Sequence, residues 1–359
     1  MAGGWRVKLA VSIILFVLIF GLVVISHEFG HFLLAKKNGI RVVEFAVGMG
    51  PTLFHFKKGE TVYSLKILPI GGACMFDGED GVGAKDGKPD EGSFLAASVW
   101  ARISAVVAGP LFNLILAYVF SLIVVAFTGS NRPVIQSVMP GGAAETAGLE
   151  SGDRITKING ERIHLGQQVT LLSWLNKGED LTVEFVRDGE KGSVVVSPVY
   201  DSEAGRYYMG FMGVSEYFRC NALEVFQYGF YELEYWVGST FKSLGMLFTG
   251  QVTREDVAGP VGIAQLVGET YQTEKEYGIG YVILSMMNIT ILLSVNLGIL
   301  NLLPVPALDG GRLVFLLIEA VRGKPVSPEK EGMVHLAGMA VLMLLMVFVL
   351  FNDISRLFS

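Results

Sequence analysis

The hydrophobic positions of this chain gather in long windows with almost no charge. Four windows reach the roughly 20 residues that a helix needs to cross a bilayer: residues 9–35, 103–130, 278–308 and 332–352. Lysine and arginine concentrate in the connections 36–88 and 312–330, which the positive-inside rule places in the cytoplasm. The pattern therefore predicts a polytopic α-helical membrane protein with four transmembrane helices. Both termini and the long central segment are expected outside.

Residues 42–77 follow a different pattern, in which bulky and polar residues alternate on both sides of Lys57-Lys58-Gly59-Glu60. That alternation predicts a β-hairpin with a glycine-containing turn. Its many large apolar side chains favour a hairpin associated with the membrane, and the alternative is a small cytoplasmic ornament. The polar residues 77–93, which are rich in glycine and aspartate, predict a cytoplasmic loop.

Residues 133–215 form the one module with the pattern of a soluble domain. A short helix is predicted near 143–147, a strand at 154–158, and two further strands on either side of residues 187–190. This order resembles a PDZ domain, which binds an extended peptide as an added strand at a sheet edge. The alternative is a structural module without a peptide ligand.

The segment 222–252 mixes aromatic side chains with glutamates and a lysine. This mixture favours an amphipathic helix at the outer interface over a fifth membrane-embedded helix. The expected organisation is therefore a first membrane half, a PDZ domain, an interfacial segment and a second membrane half, at residues 1–130, 131–216, 217–277 and 278–359.

Composition narrows the classes of function. Hydrophobic residues make up 51% of the chain and charged residues 17%, the net charge is −6, and no basic run is longer than Lys57-Lys58. This balance argues against nucleic-acid binding. The two cysteines, Cys74 and Cys220, lie far apart and outside any CxxC pattern. Neither a disulfide framework nor a structural zinc knuckle is therefore expected.

The first apolar window carries the sequence "HEFGH" at residues 27–31. On a helix, His27 and His31 share one face, so that both can hold one Zn²⁺ with Glu28 beside it. This is the H-E-x-x-H arrangement, in which the glutamate acts as general base toward the attacking water. The alternative, a pair of buried histidines bonded to other helices, is disfavoured because ionisable residues inside a span mark function. Counting about 1.5 Å per helical residue from Leu9 places the site toward the cytoplasmic side.

A catalytic zinc site takes three protein ligands and leaves one position open. The candidates for the third ligand are Glu44, His55, Asp309 and Glu319. Asp309 is best placed, because Pro304 and Pro306 must break the preceding helix on the cytoplasmic side, at the depth of the two histidines. The alternative role for Asp309 is the N-cap of the apolar helix that follows it.

Five features occur in order along the chain: "HEFGH", "GPLFN" at 109–113, the PDZ-like module, "AGPVGIA" at 258–264 and "NLLPVPALDGGR" at 301–312. Together they resemble the bacterial site-2 proteases, the intramembrane zinc metalloproteases of family M50, and in particular their RseP/RasP branch. The resemblance covers nearly the whole chain. It implies one Zn²⁺ per chain, held by His27, His31 and Asp309, with Glu28 as the catalytic base.

The same resemblance implies what the enzyme acts on and where. The expected substrates are single-span membrane proteins already cleaved outside, such as anti-sigma factors, or signal-peptide remnants, and the expected location is the bacterial inner membrane. Asn113 and Asn301 are expected to bind substrate, and the alternative for Asn301 is a hydrogen bond that holds two helices together. The hairpin is expected to be a re-entrant β-loop. Proteobacterial members carry two PDZ modules in tandem, whereas this chain has room for one.

A transmembrane substrate must unwind before its peptide bond can be attacked, because helical hydrogen bonds hide its carbonyl groups. Pairing with the edge of the hairpin around Tyr63, Ser64 and Leu65 would replace the lost bonds. Two rival functions share parts of the pattern. A metal transporter needs more intramembrane donors along a path than the one cluster here, and an inactive PDZ scaffold has no need of Glu28.

Overall fold

The computed structural model describes residues 2–79, 90–202, 206–251 and 257–356. The chain divides into two compact units, one of residues 1–120 together with 240–359 and the other of residues 121–239. The middle of the predicted polar loop, residues 80–89, lies outside the described residues.

The helices and strands follow one another in this order: α1 (Ala2–Lys37), β1 (Val42–Lys58), β2 (Thr61–Phe76), α2 (Val99–Thr128), β3 (Ser130–Arg132), α3 (Ala143–Thr146), β4 (Arg154–Ile158), β5 (Glu161–Arg162), α4 (Gly166–Leu175), β6 (Leu181–Arg187), β7 (Glu190–Val196), β8 (Val199–Asp201), β9 (Arg206–Tyr208), β10 (Glu216–Phe218), α5 (Ala222–Phe248), α6 (Pro260–Glu274), α7 (Ile279–Leu302), α8 (Asp309–Arg322) and α9 (Pro328–Arg356).

Four helices of the described chain are long and apolar enough to cross a membrane. They are α1, α2, α7 and α9, and their candidate spans are Ala10–Lys37, Val99–Thr128, Ile279–Leu302 and Glu329–Arg356. Each span overlaps one of the four windows predicted from hydropathy. A fifth long helix, α5, has one strongly apolar face and one face with acidic residues, as the sequence predicts for 222–252.

Proline ends α7 where the sequence predicts a break. Leu303 is extended, with φ −63° and ψ 143°, because a residue that precedes proline is pushed out of the helical region. Pro306 prolongs the interruption, and the chain becomes helical again only at Asp309. The short loop between α7 and α8 therefore carries Asp309 at its far end.

The hairpin of β1 and β2 is longer and more folded than a simple pair of strands. Gly59 adopts φ +63° at the turn. Both strands bend, so that Tyr63 pairs with Phe45 on one side and with Phe56 on the other, and Ser64 pairs with Ala46 and with His55. Residues 61–66 are therefore an inner strand, flanked by 44–47 and 54–58.

This arrangement corrects the expectation that Tyr63, Ser64 and Leu65 form the free edge. Their neighbours on both sides are already paired strands, and a third strand has no room to join. The order across the hairpin ends with residues 72–76, which pair with 42–47 on one side only among the described residues. The described hairpin therefore has two outer edges, residues 54–58 and the last part of β2. The last part of β2 is the free edge that lies against α1, where a Cβ at Gly72 would stand 2.9 Å from Val24.

A buried apolar cluster near the C-terminal end of α1 holds α1, the hairpin, α2 and α8 together. It contains Ala35, Ile40, Val42, Phe76, Phe94, Ala105, Val106 and Leu316. Because these residues come from four distant parts of the chain, their packing brings the end of α1, the free edge of the hairpin and the start of α8 to one place.

The second unit contains a four-stranded antiparallel sheet in the order β5-β4-β6-β7, with α3 and α4 packed on its core. The β6–β7 turn places Asp188 at φ +50° and Gly189 at φ +87°, the backbone of a two-residue hairpin turn. The helix, strand and hairpin predicted at 143–147, 154–158 and around 187–190 all occur.

Helix α6 was not predicted. Its amino terminus is capped from α9 by the carboxylate of Asp353, which is 2% exposed and accepts the N–H groups of Gly259, Val261 and Gly262 at 2.9–3.0 Å. Asp353 lies more than 90 residues from the start of α6 in sequence, so no local pattern predicts this cap. Pro260 at the first helical position was the one available signal.

Candidate metal centre

The two histidines of the "HEFGH" sequence meet on the buried face of α1. His27 Nε2 lies 3.1 Å from His31 Nε2, and both residues are buried. This is the expected result of four-residue spacing on a helix, where residues i and i+4 lie one turn apart on the same face.

Asp309 brings the third donor atom. Its Oδ2 lies 3.0 Å from His27 Nε2 and 3.3 Å from His31 Nε2. The capping alternative is not observed, because the N-cap of α8 is Leu308 and no side chain caps the helix. Burial alone would raise the pKa of the Asp309 carboxyl, but the adjacent imidazoles of His27 and His31 outweigh burial and the pKa is lowered. The carboxylate is therefore ionised, as a metal ligand must be.

The outer nitrogens of the histidines are held by α2. His31 Nδ1 lies 2.9 Å from the carbonyl oxygen of Ala105. A carbonyl only accepts, so Nδ1 carries the proton and Nε2 is left with a lone pair for a metal. His27 Nδ1 lies 3.4 Å from the side-chain amide of Asn113. The amide atom nearest to Nδ1 is Asn113 Nδ2. Once the amide oxygen and nitrogen, which have the same shape, are exchanged, His27 Nδ1 donates to Asn113 Oδ1 and Nε2 is left as the ligand atom.

The sequence analysis expects Asn113 to bind substrate, but its position in the structure does not suit that role. It is 0% exposed and packs behind His27. Its backbone carbonyl also accepts the hydroxyl of Ser294 from α7. The position of Asn113 makes it a partner that orients His27, a common arrangement for metal-ligating imidazoles.

The three donor atoms fit a zinc ion. Ligands at 2.0–2.2 Å around a tetrahedral centre stand about 3.4 Å apart, and the three donors here stand 3.0–3.3 Å apart. Asp309 Oδ2 is buried with no hydrogen-bond partner of acceptable geometry among the described residues. A buried carboxylate oxygen without a donor is suited to bind a cation. Two imidazoles and one carboxylate are also a donor set of catalytic zinc sites.

Glu28 borders a cavity of about 460 Å³ next to these donors. The cavity wall comes from α1, the free edge of the hairpin, the end of α7 and the start of α8. The Glu28 carboxylate accepts a hydrogen bond from the backbone of Cys74. Gly72 makes this approach sterically feasible, because a Cβ at that position would lie 2.8 Å from Glu28 Cγ. Asn301 also lines the cavity.

The other third-ligand candidates lie elsewhere. Glu44 pairs with Lys66 at 3.4 Å on the hairpin, and Glu319 pairs with Arg102. His55 is exposed on the hairpin opposite Ser64. The structure thus brings together only one of the four candidates with the two histidines.

Two charged residues of the cavity were not foreseen. Arg312 and Glu79 form an ion pair in its wall. Arg312 follows Asp309 by three residues, so the helical period placed it on the same face and was the signal that could have found it. Glu79 carried no comparable signal, because its position depends on how the hairpin folds back.

Helices α1 and α2 approach very closely at the centre. A Cβ at Gly30 would lie 2.3 Å from the carbonyl oxygen of Ala108, and a Cβ at Gly109 would lie 2.2 Å from His31 Nε2. Real Cβ atoms are not found at such distances, so both positions require glycine unless the helices move apart.

Replacing Gly109 with alanine is therefore expected to displace the His31 imidazole. Zinc affinity should fall by at least about 10-fold, since loss of a supporting contact alone costs 10–100-fold at metal sites. Competition with a chelating dye measures the dissociation constant. Gly21→Ala on α1 is the matched control, because its Cβ meets nothing within 4 Å, and it should bind zinc normally. Unchanged affinity in Gly109→Ala would show that the imidazole is not confined as described.

Among solved structures, the chain is similar to the PDZ domain of an SdrC-like protein from Listeria monocytogenes, at 19% identity over 22% of this chain and 83% of that chain. The TM-score is 0.21. That likeness is too low for a conclusion about the second unit.

Comparisons over the full length are far stronger. The model of peptidase family M50 matches residues 15–345. The zinc metalloprotease RasP of Geobacillus kaustophilus is 36% identical, over 97% of this chain and 98% of that protein. The regulator of sigma-W protease RasP of Bacillus subtilis is 33% identical, over 97% and 99%, and a putative zinc metalloprotease of Clostridium acetobutylicum is 35% identical, over 96% and 97%. The chain therefore belongs to peptidase family M50, and it is an intramembrane zinc metalloprotease.

Proposed function

We propose that His27, His31 and Asp309 hold one Zn²⁺ per chain and that Glu28 is the general base for cleavage of transmembrane segments. The observation that carries the proposal is the meeting of three donor atoms 3.0–3.3 Å apart beside Glu28 in a cavity at the end of a candidate span. Ionisable groups are expensive in that setting and persist where they serve function.

The residues around the cavity divide the work of peptide hydrolysis. The metal, when bound, supplies Lewis-acid polarisation and makes a water molecule nucleophilic at neutral pH. Glu28 takes the proton of the attacking water and passes it to the leaving amine. The Asn301 side-chain amide, which lines the same cavity, donates a hydrogen bond to the developing oxyanion. Ala105 and Asn113 keep the two imidazoles in the tautomer that ligation needs.

The substrate backbone pairs with residues 72–76 of the hairpin. This stretch is an unpaired edge of the hairpin and, unlike the other edge at residues 54–58, it lines the cavity. The Cys74 backbone bonds to the Glu28 carboxylate, and the Phe76 N–H bonds to Glu79 Oε2 at 3.0 Å, so side chains now occupy groups that a paired strand would use. A substrate carbonyl that takes the place of Glu28 frees its carboxylate for proton transfer. Strand addition at this edge replaces the helical bonds that an unwound segment loses.

Crosslinking tests this arrangement directly. We expect the Met75→Cys variant, in a background of Glu28→Gln, Cys74→Ala and Cys220→Ser, to trap a single-span substrate that carries single cysteines around its cleavage site. Crosslinks should recur at every second substrate position, because side chains alternate along a strand. Met75 is 44% exposed on the edge, and Leu65, 48% exposed on the inner strand, provides the control.

The Leu65→Cys variant should give no such alternating pattern. Alternating crosslinks from position 65 and none from position 75 would overturn the choice of edge. The zinc-loaded enzyme with Glu28 intact should cut the same substrate within the crosslinked stretch. Cleavage outside that stretch would contradict docking at this edge.

The module at residues 133–215 is proposed to be an extracytoplasmic PDZ domain that controls access of substrate. A cavity of about 610 Å³ lies between α4 and residues 207–215, with Trp174, Tyr207 and Phe211 in its wall. An aromatic groove beside a helix suits an extended peptide.

The name of the Bacillus subtilis relative links that protein to sigma-W. By this likeness, the substrates here are single-span membrane proteins trimmed outside the cell, such as anti-sigma factors, processed by regulated intramembrane proteolysis. The location is the bacterial inner membrane. The distribution of lysine and arginine supports a topology with both termini and the PDZ domain outside and the zinc centre near the cytoplasmic face.

A further inference from the structure

The loop between α7 and α8 contains a strained residue two positions before Asp309. Ala307 adopts φ +73°. Among the described residues, the other non-glycine positions with positive φ are Asn159 and Asp188, whose polar side chains support that conformation locally. Alanine has no such side-chain support. The turn bond from the Leu308 N–H to the Val305 carbonyl oxygen, at 3.2 Å, favours the conformation from within the loop, and contacts from outside the loop add to it.

Those contacts come from α9. The backbone N–H of Ala307 donates to Nδ1 of His335 at 2.9 Å. One turn further along the same helix, Gly338 lies against Pro306, and a Cβ there would stand 2.4 Å from Pro306 Cβ. His335 and Gly338 are three residues apart and so share a face. The face of α9 that meets the loop thus combines one hydrogen bond with one close steric contact.

The hydrogen bond from Ala307 fixes which ring nitrogen of His335 carries the proton. A backbone N–H can only donate, so Nδ1 is the unprotonated nitrogen and Nε2 carries the hydrogen. Nε2 is buried with no hydrogen-bond partner among the described residues, and Glu331 Oε1 is 3.8 Å away. The ring of Phe315 lies at 5.8 Å. The bond to Ala307 is consequently the one strong polar contact of this imidazole in the described chain.

We propose that His335 is a positioning residue of the metal centre, which holds the Ala307 peptide in its left-handed conformation and thereby sets the place of Asp309. The chain passes from Ala307 through Leu308, the N-cap of α8, directly to Asp309. Gly310 and Gly311 pack on the same loop, where a Cβ would lie 2.1 Å from Leu303 O and 2.4 Å from Val305 O. A change of backbone conformation at Ala307 therefore moves Asp309 relative to the two histidines. This inference rests on the proposed role of Asp309 as a ligand.

The test measures zinc affinity by chelator competition on the purified full-length protein, without reference to proteolysis. His335→Leu removes the acceptor, and zinc binding should weaken by about 10–100-fold, as for other groups that orient metal ligands. His335→Asn is the conservative variant, because its Oδ1 occupies the position of the imidazole Nδ1 and accepts the same N–H. It should retain most of the affinity. Leu336→Ala, an exposed neighbour on α9, is the control and should have no effect.

A second substitution separates positioning from a general loss of structure. Glycine adopts positive φ without strain, so Ala307→Gly removes the need for an external anchor. Ala307→Gly alone should bind zinc normally, and the double variant with His335→Leu should recover most of the lost affinity. A defect caused merely by poor packing of α9 would not be rescued in this way.

Three outcomes overturn the inference: unchanged affinity in His335→Leu, an equal loss in His335→Asn, or no rescue by Ala307→Gly. The variant Asp309→Ala shows which proposal has failed. If it loses zinc while His335→Leu keeps it, only the positioning role is wrong. If it keeps zinc at the normal affinity, the ligand set itself is wrong and the positioning role falls with it.

Discussion

Cleavage by the Glu28→Gln variant is expected to be about 10²–10⁴-fold slower than by the unchanged enzyme, with about one zinc per chain still bound. Glutamine preserves the shape of the side chain beside the cavity but cannot accept a proton. The ligands His27, His31 and Asp309 are untouched, so the metal should stay. The measurement is cleavage of a pre-trimmed single-span substrate in proteoliposomes, with zinc determined by elemental analysis of the same sample.

The exposed Glu276, which follows α6, provides a matched control. Glu276→Gln should cleave at the normal rate, which shows that loss of one negative charge is not enough to stop the enzyme. Equal processing by the Glu28→Gln variant would exclude Glu28 as the base. Loss of zinc along with activity would instead indicate that Glu28 supports the metal centre.

Asp309→Ala is expected to lose both zinc and activity. The substitution removes the one carboxylate that meets the two imidazoles and leaves two ligands where a catalytic zinc needs three. Dialysis against a chelator should remove zinc from the Asp309→Ala variant under conditions in which the unchanged protein keeps its zinc. Because Lewis-acid stabilisation of the transition state amounts to several kcal/mol, cleavage should fall by more than about 10²-fold.

Glu44→Gln is the informative control for this experiment, because the sequence offers Glu44 as a rival third ligand. In the structure Glu44 pairs with Lys66 and does not join the cluster. The variant should therefore retain zinc. If the Asp309→Ala variant kept its zinc and the Glu44→Gln variant lost it, the third ligand would be Glu44 and not Asp309.

Much of the metal centre follows from local periodicity. Residues i and i+4 share a helix face whatever the surroundings, so "HEFGH" alone predicts that His27 and His31 meet. Proline cannot continue a helix, so Pro304 and Pro306 alone predict a break before Asp309. The lysine and arginine distribution predicted that both features lie at the same depth, and the third donor was chosen on that basis.

Long-range pairing accounts for what the sequence did not predict. Alternation identifies residues 42–77 as a hairpin, but it does not say that both strands bend and enclose residues 61–66. The wrong edge was chosen because register in a bent sheet depends on which strand folds over which. Asn113 was assigned to substrate for a related reason, since a motif shows that a residue belongs to the site but not on which side of the histidine it stands.

The sequence by itself determined the four long apolar helices, the placement of two imidazoles on one helix face with Glu28 beside them, and the interruption that carries Asp309. These features depend on hydropathy, on the helical repeat and on proline, all of which act between neighbours in the chain. Only the tertiary structure decided which edge of the hairpin borders the cavity, that glycines at 72 and 109 allow contact with the centre, and that α9 contacts the loop before Asp309. Those features depend on contacts between residues far apart in the chain, and such contacts exist only once the helices and the hairpin have packed.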